Sequence, residues 1–396
     1  MPAAAALILS DSPVRLWGLD SRERITRQLR SLEIGESGSE TPTGAVLLLR
    51  ADYLFELRTL SSLLRQPGAV LCCSTDGRRA AALVDAKDLD AARRALEDPA
   101  APLPAGLRLL SPGELAAFDV DLRRAEPPLL EPLCEARRAP LEDQLYGNAY
   151  KGITDLVTKW LWPRPAKHLV RWCAAHDVRP NTVTAVGFVL TVLAGVLFYA
   201  GHFWLGLAAG WAMTLLDTVD GKLARVTVQS SRFGHYFDHL TDLLHPPVWY
   251  LCWGEALPHI SISGEVVEKE VYTLILVGYI AGRLVEGAFH LFANCSVFSW
   301  RPFDAWFRLV TARRNPCLIL LTVCLLLEES LLGLLAVAAW TVLTTVILCI
   351  RMLHAAIERL LAGRKLDSWL SEPGARQRFP RSYRTFSSTL GAYAPG

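Results

Sequence analysis

The sequence predicts an α-helical integral membrane domain of six transmembrane helices, preceded by a small soluble α/β domain. Three observations lead there. Hydrophobic residues make up 52% of the 396 residues with a mean hydropathy of +0.26, too apolar for a soluble chain and too polar for one built of spans alone. Apolar runs are short before residue 140 and long after residue 180. Basic residues gather in alternate loops between the long runs.

Taken in order, residues 1–140 read as the soluble domain. The runs AAAALIL, GAVLLLR, GAVLCC and AAALV are buried strands in prospect, bounded by turn-rich pieces such as GESGSETPTG. Between the first two, Ile25, Leu29 and Leu32 share one helical face of DSRERITRQLRSLE. Strand, helix, strand predicts a parallel sheet. The opening apolar run has no basic residue ahead of it and is short for a signal peptide, so this part is expected in the cytosol.

Residues 141–178 form a linker with an interfacial amphipathic helix. Ile153, Leu156, Val157 and Trp160 make a stripe opposite Lys151, Asp155 and Lys159, with Trp162, Arg164, Lys167, Arg171 and Trp172 as an aromatic and basic fringe. Packing of that stripe on the soluble domain is the alternative.

The membrane domain, 179–362, has runs at 182–200, 203–219, 236–257 and 271–293, and an apolar stretch at 316–350 divided by Glu328 and Glu329. A crossing needs about 20 apolar residues, so the short fifth run fits a span or a re-entrant segment. Loops 222–232 and 294–314 and the tail 363–396 are basic, whereas SISGEVVEKE and EES are not; this alternation requires six spans with both termini cytosolic.

Two function classes are excluded early. A net charge of +2, with no basic run interleaved with aromatics, gives no footprint for nucleic acid. Nine scattered cysteines without a CxxC pair give neither a zinc site nor a disulfide framework.

The chemistry is concentrated in LLDTVDGKLARVTVQSSRFGHYFDHLTDLLH, residues 215–245. Asp217 and Asp220 are three apart at the end of the second span, and Asp238 and Asp242 four apart at the start of the third. Four carboxylates brought together repel, and a hard divalent cation such as Mg²⁺ or Mn²⁺ relieves the repulsion. Gly221, Ala224 and Gly234 leave room for a phosphate, and Arg225 offers a planar fork to its oxygens.

These residues fill DxxDGxxAR, eight residues, then GxxxDxxxD, and the chain resembles the CDP-alcohol phosphotransferase family over roughly residues 175–360. The resemblance implies two metal ions, one on Asp217, Asp220 and Asp238, the other on Asp217, Asp238 and Asp242. It makes Asp242 the base toward the acceptor hydroxyl. It places the CDP-alcohol donor against Gly221, Ala224, Arg225, Ser231 and Gly234, with Asn181 and Thr184 as a looser match. The implied reaction is attack of an acceptor hydroxyl, on a lipid or polar alcohol, at the β-phosphorus with release of CMP. Residence among membrane lipids, a bacterial inner membrane location and homodimerisation are further expectations from the family.

Arg283, Glu286 and His290 in the fourth span read either as a polar wall of the acceptor pocket or as a structural ion pair. The soluble domain resembles a nucleotidyltransferase opening, with Asp52 where a metal-binding aspartate would stand. Ser10, Asp11 and Pro13 replace the glycines of a phosphate loop, so it reads as a degenerate copy. A non-catalytic scaffold, an active fused cytidylyltransferase and a transporter are the competing classes.

Overall fold

The computed structural model describes residues 5–36, 44–229, 232–258, 261–262, 265–266, 268–361 and 363–387, with 232–239, 261–262 and 265 as backbone only. Two compact units divide them. One comprises residues up to 119, 124–149 and 225–229; the other comprises 120–123, 150–224 and 230 onward.

In the first unit, β1 (Ala5–Leu9) leads into α1 (Ser21–Ser31), whose N-cap Asp20 accepts the Glu23 amide at 2.7 Å. Then follow β2 (Ala45–Arg50), β3 (Tyr53–Phe55), α2 (Leu57–Leu63), β4 (Ala69–Cys72), β5 (Arg79–Asp85), α3 (Leu89–Glu97) and β6 (Arg108–Leu110). The short strands β7 (Phe118–Asp119), β8 (Arg124–Ala125) and β9 (Leu130–Pro132) and helix α4 (Arg138–Asn148) complete it. The main sheet runs β1-β2-β5-β4-β6. β1 and β2 are parallel, as strand, helix, strand requires. The sheet as a whole is mixed, which corrects the parallel expectation: β5 lies antiparallel to both β2 and β4. The cause is local, because the turn from Cys73 to Arg78, with Gly77 at φ +70°, is too short for a crossover and forces a hairpin. Ile25 and Leu29 of α1 are buried with Leu47, Leu49, Leu71 and Leu83 in the core beneath the sheet.

The second unit is helical. A π-type turn (Val157–Leu161) and α5 (Pro163–Ala175) precede the long helices α6 (Pro180–Tyr199), α7 (Phe203–Val226), α8 (Arg232–Glu255) and α9 (Glu268–Phe292), with β10 (Ser261–Ile262) and β11 (Glu265–Val266) between the last two. Then come α10 (Val297–Trp300), α11 (Pro302–Val310), α12 (Arg314–Leu326) and α13 (Ser330–Leu360). Phe198, Trp249, Trp253, Leu318 and Leu334 are buried where these helices meet. Val189, Val196, Leu205, Leu291 and Leu353 face outward, as lipid-facing residues of an integral membrane protein do.

By length and apolarity, three described helices suffice to cross a bilayer: α6, α9 and α13. The pair α11 and α12, bent by 45°, is either a fourth, broken span or a re-entrant loop. A six-span count therefore depends on α7 and α8, each 24 residues and thus about 36 Å long, yet carrying the acidic residues. α12 alone has 13 residues, about 20 Å, too short to cross by itself.

The amphipathic stripe before the first span is also corrected. Ile153 and Val157 of the stripe are buried, but so are Asp155 and Lys159 of the opposite face, while Trp160 is 51% exposed, so the two faces do not separate as expected. The π-type turn departs from the 3.6-residue period on which the expectation was built. Asp155 instead caps the turn, accepting the amides of Val157 and Thr158, and takes Asn315 Nδ2 at 2.9 Å. Burial alone would raise its pKa; Arg308 and these donors hold it below the ordinary carboxylate value. Beyond α13, residues 363–387 carry α14 (Ala375–Arg378) and α15 (Pro380–Phe386) and bury Trp369 completely, so much of the basic tail is folded.

Candidate active site

α6, α7 and α8 supply a solvent-open cleft of about 290 Å³ lined by Thr184, Gly187, Phe188, Thr191, Met213, Asp217, Asp220, Thr241 and Asp242. Three of the predicted aspartates thus meet at one cavity. Asp220 is buried and accepts the Thr184 hydroxyl at 2.6 Å, which ties the first and second long helices at the motif. Thr184, only a loose match in sequence, is therefore part of the site. Asn181, one turn earlier, is exposed. Gly221 and Ala224 are half-buried along α7, and Arg225 is exposed with Nη1 donating to the Ala149 carbonyl at 3.1 Å. Asp238 and Gly234 fall in α8, but their side-chain surroundings, and Ser231 entirely, lie outside the described residues.

Arg314 is the residue that sequence reasoning missed. At the start of α12, it donates Nη1 to Asp242 Oδ1 at 2.6 Å and Nη2 to Asp217 Oδ2 at 2.5 Å. One guanidinium thus neutralises two carboxylates from two helices, with the geometry arginine favours. Its only sequence signal was membership of a basic loop, which topology absorbed.

The backbone of α8 is also tuned here. Pro246 has no amide to give the Asp242 carbonyl four residues back, and the Tyr279 hydroxyl of α9 donates to that carbonyl at 3.3 Å. His245 Nδ1 lies 2.7 Å from the Thr241 carbonyl and bonds it.

The donor set suits a hard divalent ion. Among the described residues, no three acidic, histidine or cysteine side chains already converge as a cage. Asp217 and Asp242 both reach the Arg314 guanidinium and Asp220 lines the same cleft, so these are the carboxylates that could hold such an ion.

The fourth-span residues divide. Glu286 is bonded by Arg283 on its own helix and by Arg313 from the start of the α12 region, so the acidic member joins an ion-pair network. Arg308 and Arg313 both lie over the Phe298 ring. Buried N–H groups of Arg283 (Nε), Arg308 (Nε and Nη1) and Arg313 (Nε) have no acceptor among the described residues. His290, further along α9, is exposed.

In the α/β unit, Asp52 is held by its neighbours. Arg50 binds both of its oxygens, and Ser10, at φ +55°, donates to Oδ1 at 2.6 Å.

Comparison with known proteins fits this site. Residues 177–370 match the family model described as CDP-alcohol phosphatidyltransferase. A cholinephosphotransferase 1 from Danio rerio is 32% identical over 123 residues, 28% of this chain and 31% of that protein. An archaetidylinositol phosphate synthase from Pyrococcus horikoshii is 33% identical over 118 residues, 29% of this chain and 57% of its own length. A phosphatidylinositol phosphate synthase from Mycobacteroides abscessus is 40% identical over 65 residues, 16% of this chain and 29% of that protein. The matched stretch thus spans less than two thirds of each of these relatives.

Proposed function

Because residues 177–370 belong to the CDP-alcohol phosphatidyltransferase family, we propose that the chain transfers a phospho-alcohol group from a CDP-alcohol to an acceptor hydroxyl with release of CMP, in phospholipid or related phosphodiester synthesis. The observation that carries this reading is the convergence of Asp217 and Asp220 of α7 and Asp242, well inside α8 rather than at its start, on one cleft. Scattered helix-capping aspartates would have no reason to share a cavity with Thr184.

The chain's own groups have defined tasks. Asp242 takes the proton of the acceptor hydroxyl; Arg314 engages its Oδ1, which assigns the proton to Oδ2. The acceptor oxygen then bonds to the β-phosphorus, the bond from that phosphorus to the CMP oxygen breaks, and CMP leaves with the electron pair. Thr184 fixes the Asp220 carboxylate, and Arg225, by its place in the motif, binds diphosphate oxygens. Mg²⁺ or Mn²⁺, as two ions on Asp217, Asp220, Asp238 and Asp242, would neutralise the diphosphate and stabilise the departing CMP.

The acceptor is read as carrying a phosphate. Arg283 and Arg313 share one glutamate, Glu286, and these two and Arg308 retain N–H groups that an anionic acceptor would satisfy. An archaetidylinositol phosphate synthase among the relatives accords with that choice, and a CDP-linked polar head group such as inositol remains the alternative donor. The soluble domain is a degenerate nucleotidyltransferase copy in this reading: Asp52, the residue that would hold a metal, is fully engaged by Arg50 and Ser10. In this reading the chain crosses a bacterial inner membrane six times, with α7 and α8 among the spans and both termini on the cytosolic side.

The test offers purified protein CDP-diacylglycerol or CDP-inositol, each with inositol phosphate or diacylglycerol and Mn²⁺, and identifies products by mass. A phosphodiester formed with stoichiometric CMP is the expected result. Uptake of substrate into vesicles without CMP release would instead mark a transporter, and neither would mark a scaffold.

A further inference from the structure

Helix α11 is amphipathic in the opposite sense to a helix that faces water. Its Phe303, Trp306 and Val310 recur at helical spacing on one side and are 57%, 42% and 39% exposed. The charges of the same helix turn inward. Asp304 is buried and accepts the Arg351 guanidinium at 2.6 and 2.9 Å, and Arg308 is buried too. A helix bordering water puts its apolar stripe inside and its charges outside, so the outer face of α11 is built for an apolar medium.

The folded tail flanks that face with positive charge, and both belong to the helical unit. Helix α15 lies beyond residue 370, where the family match ends. The Trp306 indole donates Nε1–H to Ser382 Oγ at 3.0 Å and meets the Phe386 ring edge-on, with centroids 5.1 Å apart. Phe386 is completely buried and has Lys159 Nζ 5.3 Å from its centroid, so α15 is anchored from two sides. Arg381 and Arg384, three apart on α15, are exposed. Aromatic rings settle at the boundary between acyl chains and water, and arginine stems lie along apolar surface while their heads reach phosphate. An anionic bilayer surface satisfies both halves of this face. A second copy docked symmetrically on it would meet the same arginines with its own.

We propose that α11 and α15 together form a surface that lies in the headgroup layer, on the side of the membrane where the tail resides, and binds anionic phospholipid. Phe303, Trp306 and Val310 sit among the uppermost acyl carbons, and Arg381 and Arg384 pair with lipid phosphates. Helix α11 then runs along the bilayer and is not the first half of a broken span.

The test places the full chain in nanodiscs of phosphatidylcholine with about one third phosphatidylglycerol, an anionic fraction large enough to set a surface potential. Nitroxides at Phe303→Cys, Val310→Cys and Arg384→Cys, in a cysteine-free background, are read by power saturation with oxygen and a water-soluble nickel chelate. Positions 303 and 310 are expected at equal depth, open to oxygen and closed to nickel, with position 384 open to nickel. The helix rises about 10 Å between 303 and 310, so a label at 310 lying much deeper means a crossing segment and overturns the proposal. Access of nickel to both positions overturns it, and so does shielding from both reagents, which marks a protein partner or a second copy. In the chain with its native cysteines, the preference for spin-labelled phosphatidylglycerol over phosphatidylcholine is then compared between wild type and the double variant Arg381→Gln, Arg384→Gln. Both side chains are exposed, so their loss leaves the fold intact. The preference is expected to fall about two-fold in the variant, and in wild type to weaken at high salt. Equal preference in the two chains overturns the anionic-lipid assignment. Loss of the wild-type preference on adding inorganic phosphate, against chloride at matched ionic strength, marks a small-anion site and overturns it as well.

Discussion

In the proposed reaction Asp242 and Arg314 make opposite demands on one carboxylate, since a base must release its oxygen to a proton while a guanidinium holds it. The bond to Oδ1 leaves both satisfied. Asp242→Asn should lower CMP release by about 10²–10⁴-fold while CDP-alcohol affinity, read by calorimetry, stays near wild type; release at the normal rate would remove Asp242 as the base. Arg314→Gln leaves Asp217 and Asp242 to repel each other. With Asp242 41% exposed the loss is screened to about 2 kcal/mol. Thermal unfolding in detergent should fall accordingly, and Mn²⁺ should raise the midpoint more in the variant than in wild type. Glu56 sets the acid limit of the soluble unit. Burial would raise its pKa, yet Arg124 and Arg58 hold it below the ordinary value of 4.5. A carboxylate depressed in the folded state stabilises fully above its unfolded pKa, and that contribution disappears as pH falls through the folded value. Glu56→Gln should therefore cost about 3 kcal/mol at pH 7, and the gap from wild type should close below pH 4.5 in acid titrations followed by circular dichroism. At this scale the motif aspartates were legible because their spacing is local. Arg314 was not, because its partners lie 72 and 97 residues away.

Helix α9 and helix α13 approach closely through glycine. A Cβ on Gly278 would stand 3.2 Å from Thr341 Cγ2, and one on Gly282 3.0 Å from Thr345 Oγ1, while Thr345 donates to the Gly278 carbonyl at 2.7 Å. Gly287, on the same helix, meets nothing within 4 Å. Gly278→Leu should therefore lower the unfolding temperature in detergent by an overpacking cost of about 1–3 kcal/mol or more, and Gly287→Leu should not. Equal effects would mean that helix propensity, not packing, governs both. The long apolar runs betrayed these helices plainly, since a bilayer leaves few alternatives to helix. The π-type turn and the placement of β5 were hidden, because one depends on a buried Asp155 partnered from α12 and the other on which neighbours a hairpin finds.

For the whole chain, basic and non-basic loops alternate along the sequence of the helical unit, and in the proposed six-span arrangement that alternation orients it. Single cysteines at Glu268 and Glu328, in a cysteine-free background, should react with an impermeant maleimide added to intact cells. Cysteines at Arg308 and Arg376 should react only after lysis. Labelling of all four from one side would reject the six-span arrangement. The boundary between soluble and helical parts was visible in composition, yet the sharing of residues 225–229 with the soluble unit was not, since their partners Arg24 and Arg27 lie about two hundred positions earlier.

The missing amide of Pro246 has a reach beyond its own helix. It hands the main-chain oxygen of Asp242 to a phenol on α9, so the pitch of this carboxyl is set partly from outside the helix that bears it. Tuning this site by changing α8 alone would leave that second handle untouched, and a swap of Tyr279 for Phe would turn it without altering a single acidic residue.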